Sequence, residues 1–318
     1  MFLKILIIVL LVLIFFVIGP LLVVQYVVAS KLYKLYLVRN EKESWNRDLI
    51  PTTKEEELMY QDCNEFEQAY QSIKKEVMIY SDGYKLCGEY YDFGNKRTCI
   101  IVAGRSEALR YSFHFAKPYV ESGFNILAID NRSHGFSEGK YNCLGFEEYK
   151  DILNWVLFLH NELHNELVIA HGICIGSATI LYALTNNACP DYFKGLIADG
   201  MYVNFPTSFI NHSLEAGYPA HFVTDFFFNI FKKNTKHNAY YGPIDYIDNL
   251  KEDIPILFLY SLEDIYSTPD KGQILFDKCS SKKKEIKWFE HGTHSHIRVN
   301  NNELYDQTIK EFIMKNYQ

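Results

Sequence analysis

Leu167-Val168-Ile169-Ala170-His171-Gly172-Ile173-Cys174-Ile175-Gly176-Ser177, continued by an apolar run to Ala183, is the stretch that decides how this 318-residue chain is read. Leu167 to Ala170 has the unbroken apolar character of a strand buried on both faces. Ser177 to Ala183 reads as the first turns of a buried helix. Between them, Gly172 to Gly176 has the Gly-x-Ser-x-Gly spacing of a nucleophile elbow, with cysteine where serine is usual. So sharp a strand-to-helix turn strains its central residue, and the flanking glycines leave room for neighbouring backbone. The outcome is a thiol standing clear of a sheet, above a helix N-terminus. The open question is whether that thiol works or marks a disabled site.

Outward from this stretch, strand and helix signals alternate. Lys75–Tyr80 and Lys85–Phe93 flank Ser81-Asp82-Gly83 as a hairpin. Arg97–Val102 is a strand ending in Ala103-Gly104-Arg105. A helix over Tyr111–Glu121 precedes the strand Phe124–Ile129, and a helix over Gly145–Leu159 precedes the elbow. Beyond it come strands at Phe193–Ala198, Ile254–Tyr260 and Lys284–Phe289 and a closing helix over Asn301–Lys315. Such alternation predicts an α/β fold, a mostly parallel sheet with helices on both faces. Tyr202 to Tyr241 breaks the pattern and is crowded with aromatics, among them Phe205, Phe209, Phe226, Phe227, Phe228 and Phe231.

The stretch after the strand ending at Ile129 is Asp130-Asn131-Arg132-Ser133-His134-Gly135-Phe136-Ser137. It resembles the Asp-x-Arg-Gly-x-Gly-x-Ser hallmark of the α/β-hydrolase superfamily, with Ser133 at the first glycine. The resemblance runs from about Lys75 to Tyr317 and is strongest to membrane-anchored bacterial members related to prolyl-oligopeptidase-like hydrolases. It implies an α/β-hydrolase fold with an eight-stranded sheet and a helical cap at about residues 202–242. The chain order nucleophile, acid, histidine then maps onto Cys174, Asp264 and His294. Asp264 follows a strand in Ser261-Leu262-Glu263-Asp264, and His294 follows the last strand in His291-Gly292-Thr293-His294. Asp199 is the alternative acid and Glu263 a weaker one; His296, then His291, are the alternative bases. Backbone N–H groups of Arg105 and Ile175 are the expected oxyanion hole. Ala103-Gly104 stands where the family usually has His-Gly, a departure to which backbone donors are indifferent. Ser177 lies inside the first helical turn and is a poor substitute nucleophile.

Chemically, a histidine deprotonates the thiol and a carboxylate fixes the histidine's tautomer. A thiol needs less help than a hydroxyl, because its pKa starts near 8.5 and falls beside an imidazolium and a helix N-terminus. Gly-x-Cys-x-Gly in this fold also occurs in dienelactone hydrolases and polyhydroxyalkanoate synthases. The resemblance therefore implies a hydrolase of ester, thioester or related acyl bonds that passes through a thioester. Two alternatives stand beside it: an acyltransferase with the same triad, and a non-catalytic α/β-hydrolase-like binding protein. The implied partner is a small, apolar acyl substrate. No cofactor is implied, and His291, His294 and His296 lack the accompanying carboxylate pattern of a metal site. His160 and His164, at i and i+4, are not in the His-Glu-x-x-His order of a zinc protease and read as surface residues.

Ile5 to Ala29 is an uncharged run of 25 residues, long enough to span a bilayer and longer than a signal peptide's apolar core. Only Lys4 precedes it, whereas Lys31, Lys34, Arg39, Lys42 and Arg47 follow. That bias puts the C-terminal part on the cytoplasmic side, where seven scattered cysteines without a CxxC pair stay reduced. Tyr26, Tyr33 and Tyr36 suit an interfacial aromatic belt. The expected organisation is an anchor at about residues 1–30, a juxtamembrane helical linker at about 31–74, and the α/β domain at about 75–318. A net charge of −7 argues against nucleic acid as a partner.

Overall fold

In the computed structural model, which describes residues 2–39, 45–48, 50–218 and 220–317, the sheet begins with the hairpin expected around Ser81. Strands β1 (Lys74–Ser81) and β2 (Tyr84–Tyr91) pair antiparallel across the two-residue Asp82-Gly83 turn. Strands β3 (Arg97–Val102), β4 (Asn125–Ile129), β5 (Leu167–Ile173), β6 (Phe193–Asp199), β7 (Ile256–Ser261) and β8 (Lys284–Phe289) run parallel to one another. Among the described residues these eight strands form one sheet in the order β1-β2-β4-β3-β5-β6-β7-β8. The central strands β3 to β7 are buried almost throughout. Their continuous Val/Ile/Leu runs are what two covered faces require.

The helices, in chain order, are α1 (Phe2–Leu13), α2 (Gly19–Leu37), α3 (Lys54–Tyr70), α4 (Lys117–Glu121), α5 (Glu148–Asn161), α6 (Ile175–Leu184), α7 (Phe205–Glu215), α8 (Ala220–Thr235), α9 (Pro269–Lys278), α10 (Ile297–Asn300) and α11 (Asn302–Tyr317). One core lies between the sheet and α5, α6 and α9, built on Trp155, Leu181, Phe193 and Phe258. A second lies under α3, α4 and α11, built on Phe66, Phe113, Tyr119 and Phe312. The helix expected over Tyr111–Glu121 is instead a 3-10 segment, Leu109–Phe115, followed by the short α4. Pro118 explains the break, since it lacks an N–H and disfavours helical backbone before it. Helix α9, not among the helices expected from sequence, opens on Pro269 after an extended Thr268.

The N-terminal apolar run forms helix from Phe2 to Leu37, with a wider turn at Ile14–Ile18. It is long and apolar enough to cross a membrane, a test that a signal sequence also passes. Its described large apolar side chains are exposed through Val27, but Ala29, Leu32, Tyr33, Tyr36 and Leu37 are buried. Those positions form one helical stripe, and it packs on α7 and α8, the helices of the interval expected as the cap, against Phe209, Val223, Phe227 and Phe231. Gln25 Nε2 donates to the Phe222 carbonyl at 2.8 Å. Helix α2 thus passes without interruption from the apolar run into the cap. Lys42, counted in the charge bias, lies outside the described residues.

Candidate active site

Cys174 is the junction between β5 and α6, with φ 53° and ψ −112°. This is backbone that an L-residue holds only when its surroundings over-determine it. The two glycines explain how the turn fits. A Cβ on Gly176 would lie 2.2 Å from the Val102 carbonyl oxygen, and one on Gly172 would lie 2.3 Å from Ser177 N. The turn is fastened from β6, because Cys174 N donates to the Asp199 carbonyl at 2.8 Å. Ser177 Oγ, buried, donates to the Gly172 carbonyl at 2.5 Å. That bond keeps it in the scaffold and out of the pocket.

Asp264 follows β7 and His294 follows β8. His294 Nδ1 donates to Asp264 Oδ2 at 2.7 Å. Asp264 also accepts from the N–H groups of Tyr266 and Ser267, at 2.8 and 2.9 Å. His294 Nε2 is buried with no hydrogen-bond partner among the described residues. Burial alone would lower the histidine's pKa. The charges of Asp264 and Cys174 outweigh that and hold it well above the ordinary value. Cys174 and His294 line one small pocket, together with Tyr36, Arg105, Glu107 and His212. The alternatives go elsewhere. His296 Nδ1 pairs with Glu55 at 3.1 Å and His291 Nδ1 with Glu263 at 3.2 Å. His160 stacks on Tyr192, and His164 is exposed. Among the described residues no three His, Cys, Asp or Glu side chains converge as metal ligands.

Asp199, the alternative acid, belongs to a buried chain beneath the elbow. Tyr305 Oη donates to its Oδ2 at 2.6 Å, so Tyr305 must accept from His171 Nε2, 3.2 Å away. Nδ1 of His171 is then the acceptor for Tyr119 Oη at 2.9 Å. Burial pushes Asp199 up to about 7 and His171 down to about 3. The imidazole is therefore neutral, as a single-tautomer chain requires.

Arg105 and Ile175, the expected oxyanion donors, both line the pocket. Neither N–H has an acceptor among the described residues. The Arg105 carbonyl is held by His134 Nε2 at 2.8 Å. Its guanidinium lies 4.8 Å from the Tyr36 ring centroid and donates to the Tyr36 carbonyl at 3.3 Å. The Asp130 stretch serves as framework. Asp130 accepts from Leu109 N and Phe136 N and pairs with Arg47 at 2.7 Å, while Arg132 grips Asp151 at 2.7 and 3.0 Å. Ser133, at the hallmark glycine position, takes φ 69° all the same.

Glu107, His212 and Tyr36 are among the pocket residues assigned no role there from sequence. Glu107 follows the oxyanion loop, and its carboxylate crowds Gly104. His212, on α7, stacks on Tyr266 at 3.7 Å and is pushed down to about 4 by burial and by Arg105 and His294. Tyr36 comes from the long apolar helix. The apolar stripe Ala29-Leu32-Tyr33-Tyr36-Leu37 was the available signal for Tyr36. A lone histidine on a cap helix leaves none.

A sequence model described as the alpha/beta hydrolase fold matches residues 100–240, the segment holding the Asp130 stretch, the elbow and most of the cap. The Pyrococcus furiosus esterase Pf2001 superposes with a TM-score of 0.62 at 19% identity, covering 85% of this chain and 98% of that one. The chain has the α/β-hydrolase fold. A second solved structure of this fold, Pyrococcus horikoshii acylaminoacyl peptidase, gives 0.57 at 21% identity over 76% of this chain and 41% of its own. Est1E from Butyrivibrio proteoclasticus, seen with ferulic acid bound, gives 0.56 at 17%, over 76% and 98%. In sequence, the chain is 27% identical over 258 residues to the uncharacterized protein YqkD of Bacillus subtilis (strain 168), covering 77% of this chain and 81% of YqkD. The solved neighbours of this fold thus include an esterase and a peptidase.

Proposed function

We propose that this α/β-hydrolase-fold protein hydrolyses an ester, thioester or related acyl bond of a small, apolar substrate through Cys174, His294 and Asp264. The observation that carries the reading is the strained Cys174 sharing a pocket with a histidine whose Nδ1 is locked to a buried carboxylate at 2.7 Å. That lock leaves Nε2 as the basic position. The thiol proton moves to Nε2 and the sulfur attacks the acyl carbon. The oxyanion gathers the N–H groups of Arg105 and Ile175. As the C–O bond breaks, the imidazolium returns its proton to the leaving alkoxide. Water then gives a proton to Nε2, its oxygen attacks the thioester, and the acid leaves as the thiolate re-forms. Asp264 stays ionised and steadies the imidazolium throughout.

The same proposal places the protein in a membrane through its first 28 or so residues, with the catalytic domain on the cytoplasmic side. Supporting it are the exposed apolar helix and the cationic residues that follow it. The test is a series of aryl esters of short acyl chains, run on the full chain and on Cys174→Ala and Cys174→Ser, with a thiol-directed activity probe alongside. Labelling and turnover lost in Cys174→Ala support the reading. Equal labelling of Cys174→Ala overturns it. An acyl-enzyme mass that persists in water and clears only on adding an alcohol or amine identifies transfer in place of hydrolysis.

A further inference from the structure

A second groove shares no lining residue with the pocket of Cys174. Its walls are α2, α8 and the turn at Lys140-Tyr141, which bridges to Val38. Tyr26 stands at one lip, in edge contact with Phe226 at 6.5 Å. Lys34, Lys140 and Lys233 converge from three different elements, and among the described residues no carboxylate lines the groove. Among the described residues none of the three lysines forms an ion pair; Lys140 lies 5.5 Å from the Tyr141 ring centroid.

The setting identifies the occupant. Tyr26 is half exposed near the end of the exposed apolar helix, where an aromatic residue marks the edge of the hydrocarbon. Lys34 is eight residues further on, about 12 Å along the axis at ~1.5 Å per residue. A headgroup layer is about 5–8 Å thick on each side of a ~30 Å hydrocarbon core. The groove therefore begins where acyl chains end, runs the full depth of the headgroup layer and extends several ångströms beyond it, a distance a lysine side chain spans by reaching back toward the phosphates. A free anion would find three cations there but no use for the apolar lip. We infer that this groove binds the headgroup of an anionic phospholipid of the leaflet that α2 leaves. Such a lipid would brace α2 against α8, and so fix the attitude of the cap over the catalytic pocket.

The inference rests on reading residues 2–28 as a membrane span, so the experiment separates the two. The full chain is first reconstituted into phosphatidylcholine-only nanodiscs; failure to incorporate overturns the span and the headgroup site together. The detergent-solubilised full chain is then titrated with dioctanoyl phosphatidylglycerol, dioctanoyl phosphatidylcholine and inorganic phosphate, following bound lipid by native mass spectrometry and the unfolding midpoint. Saturable binding of phosphatidylglycerol alone is expected. Each basic residue at a membrane surface contributes about fivefold, so the triple variant Lys34→Gln, Lys140→Gln, Lys233→Gln should bind more than tenfold weaker. A control triple at Lys194, Lys283 and Lys287 should bind as the parent does. The unfolding midpoint of both triples without lipid, equal to that of the parent, reports that the domain is folded. Equal affinity for the two lipids, an unaffected groove variant, or an equally weakened control overturns the site. Phosphate matching phosphatidylglycerol would make it a soluble-anion site and overturn the lipid assignment.

Discussion

Replacing Asp199 by asparagine separates the two candidate acids and has a calculable effect on stability. Asp199 is fully buried, and desolvation pushes its carboxyl up to about 7, against about 3.9 in an unfolded chain. The folded protein therefore holds a proton that the unfolded chain has released between pH ~4 and ~7. In that window stability falls as pH rises, by about 1.4 kcal/mol per unit. Stability contributed by protonated Asp199 is complete below pH ~4 and gone above ~7, a total on the order of 4 kcal/mol. The asparagine of the variant cannot titrate, and its amide oxygen can still accept from Tyr305, as the Asp199 Oδ2 does at 2.6 Å. The amide NH2 takes the place of Oδ1, which has no partner among the described residues, a cost that does not change with pH.

Denaturant melts of parent and Asp199→Asn at pH 5 through 8 should show the variant gaining on the parent by about 2 kcal/mol from pH 5 to 7, then levelling. The same variant should keep ester turnover within an order of magnitude. Asp264→Asn should lose about 10²–10⁴-fold, because the His294 tautomer is then unheld. A stability difference that is flat with pH would refute the buried-proton argument. Loss of turnover in Asp199→Asn with retention in Asp264→Asn would transfer the acid to β6.

Two further substitutions and a pair of truncations test the frame. Cys174→Gly relieves a backbone strain of about 1–3 kcal/mol, less the roughly 0.5–1 kcal/mol that glycine costs in the unfolded chain. It should melt a few degrees above Cys174→Ala, although both are inactive; a lower melting point would mean that φ 53° is not strained. Gly176→Ala drives a methyl to 2.2 Å from the Val102 carbonyl, backbone that cannot swing away. It should cost about 3 kcal/mol or more and abolish turnover, and near-native melting would show that β3 and the elbow are not so close. A chain beginning at residue 29 should stay folded. One beginning at residue 39 loses buried Leu32, Tyr33, Tyr36 and Leu37, each contributing about 1.5–3 kcal/mol, and should lose its cap to limited proteolysis. Equal resistance of the two truncations would mean that α2 is dispensable to the cap.

What the sequence made legible was whatever local pattern determines. Strand β3 was readable to the residue, because a strand covered on both faces is a short apolar run, here Cys99 to Val102 led in by Arg97 and Thr98. The elbow was readable because steric necessity limits those two positions to glycine. His294 could be placed ahead of His296 only through resemblance; in space, the surroundings of each ring distinguish them. His296 lies beside Glu55 on α3, and His294 beside Asp264. Glu55 is far away in the chain, beyond the reach of any local pattern. The Asp199-Tyr305-His171-Tyr119 chain was invisible for the same reason, since its members come from four separate elements.

The apolar helix illustrates the limit from the other side. Its composition announces a span, and composition alone sets the boundary where charge resumes, near Lys31. The physical boundary between exposed and packed helix falls at Ala29, yet there is no break in the backbone between the two parts. Tyr36 therefore lines the pocket of Cys174 from a helix whose other end is exposed apolar surface. A rigid helix shared by two environments transmits tilt. Turning α2 relative to the sheet moves Tyr36, and with it the guanidinium of Arg105 held over its ring at 4.8 Å. On the proposed reading, whatever fixes α2 at the membrane surface also fixes one wall of the acyl pocket, so turnover in bilayers should depend on lipid composition while turnover of the chain beginning at residue 29 should not. Identical lipid dependence in the two would disconnect the anchor from the chemistry.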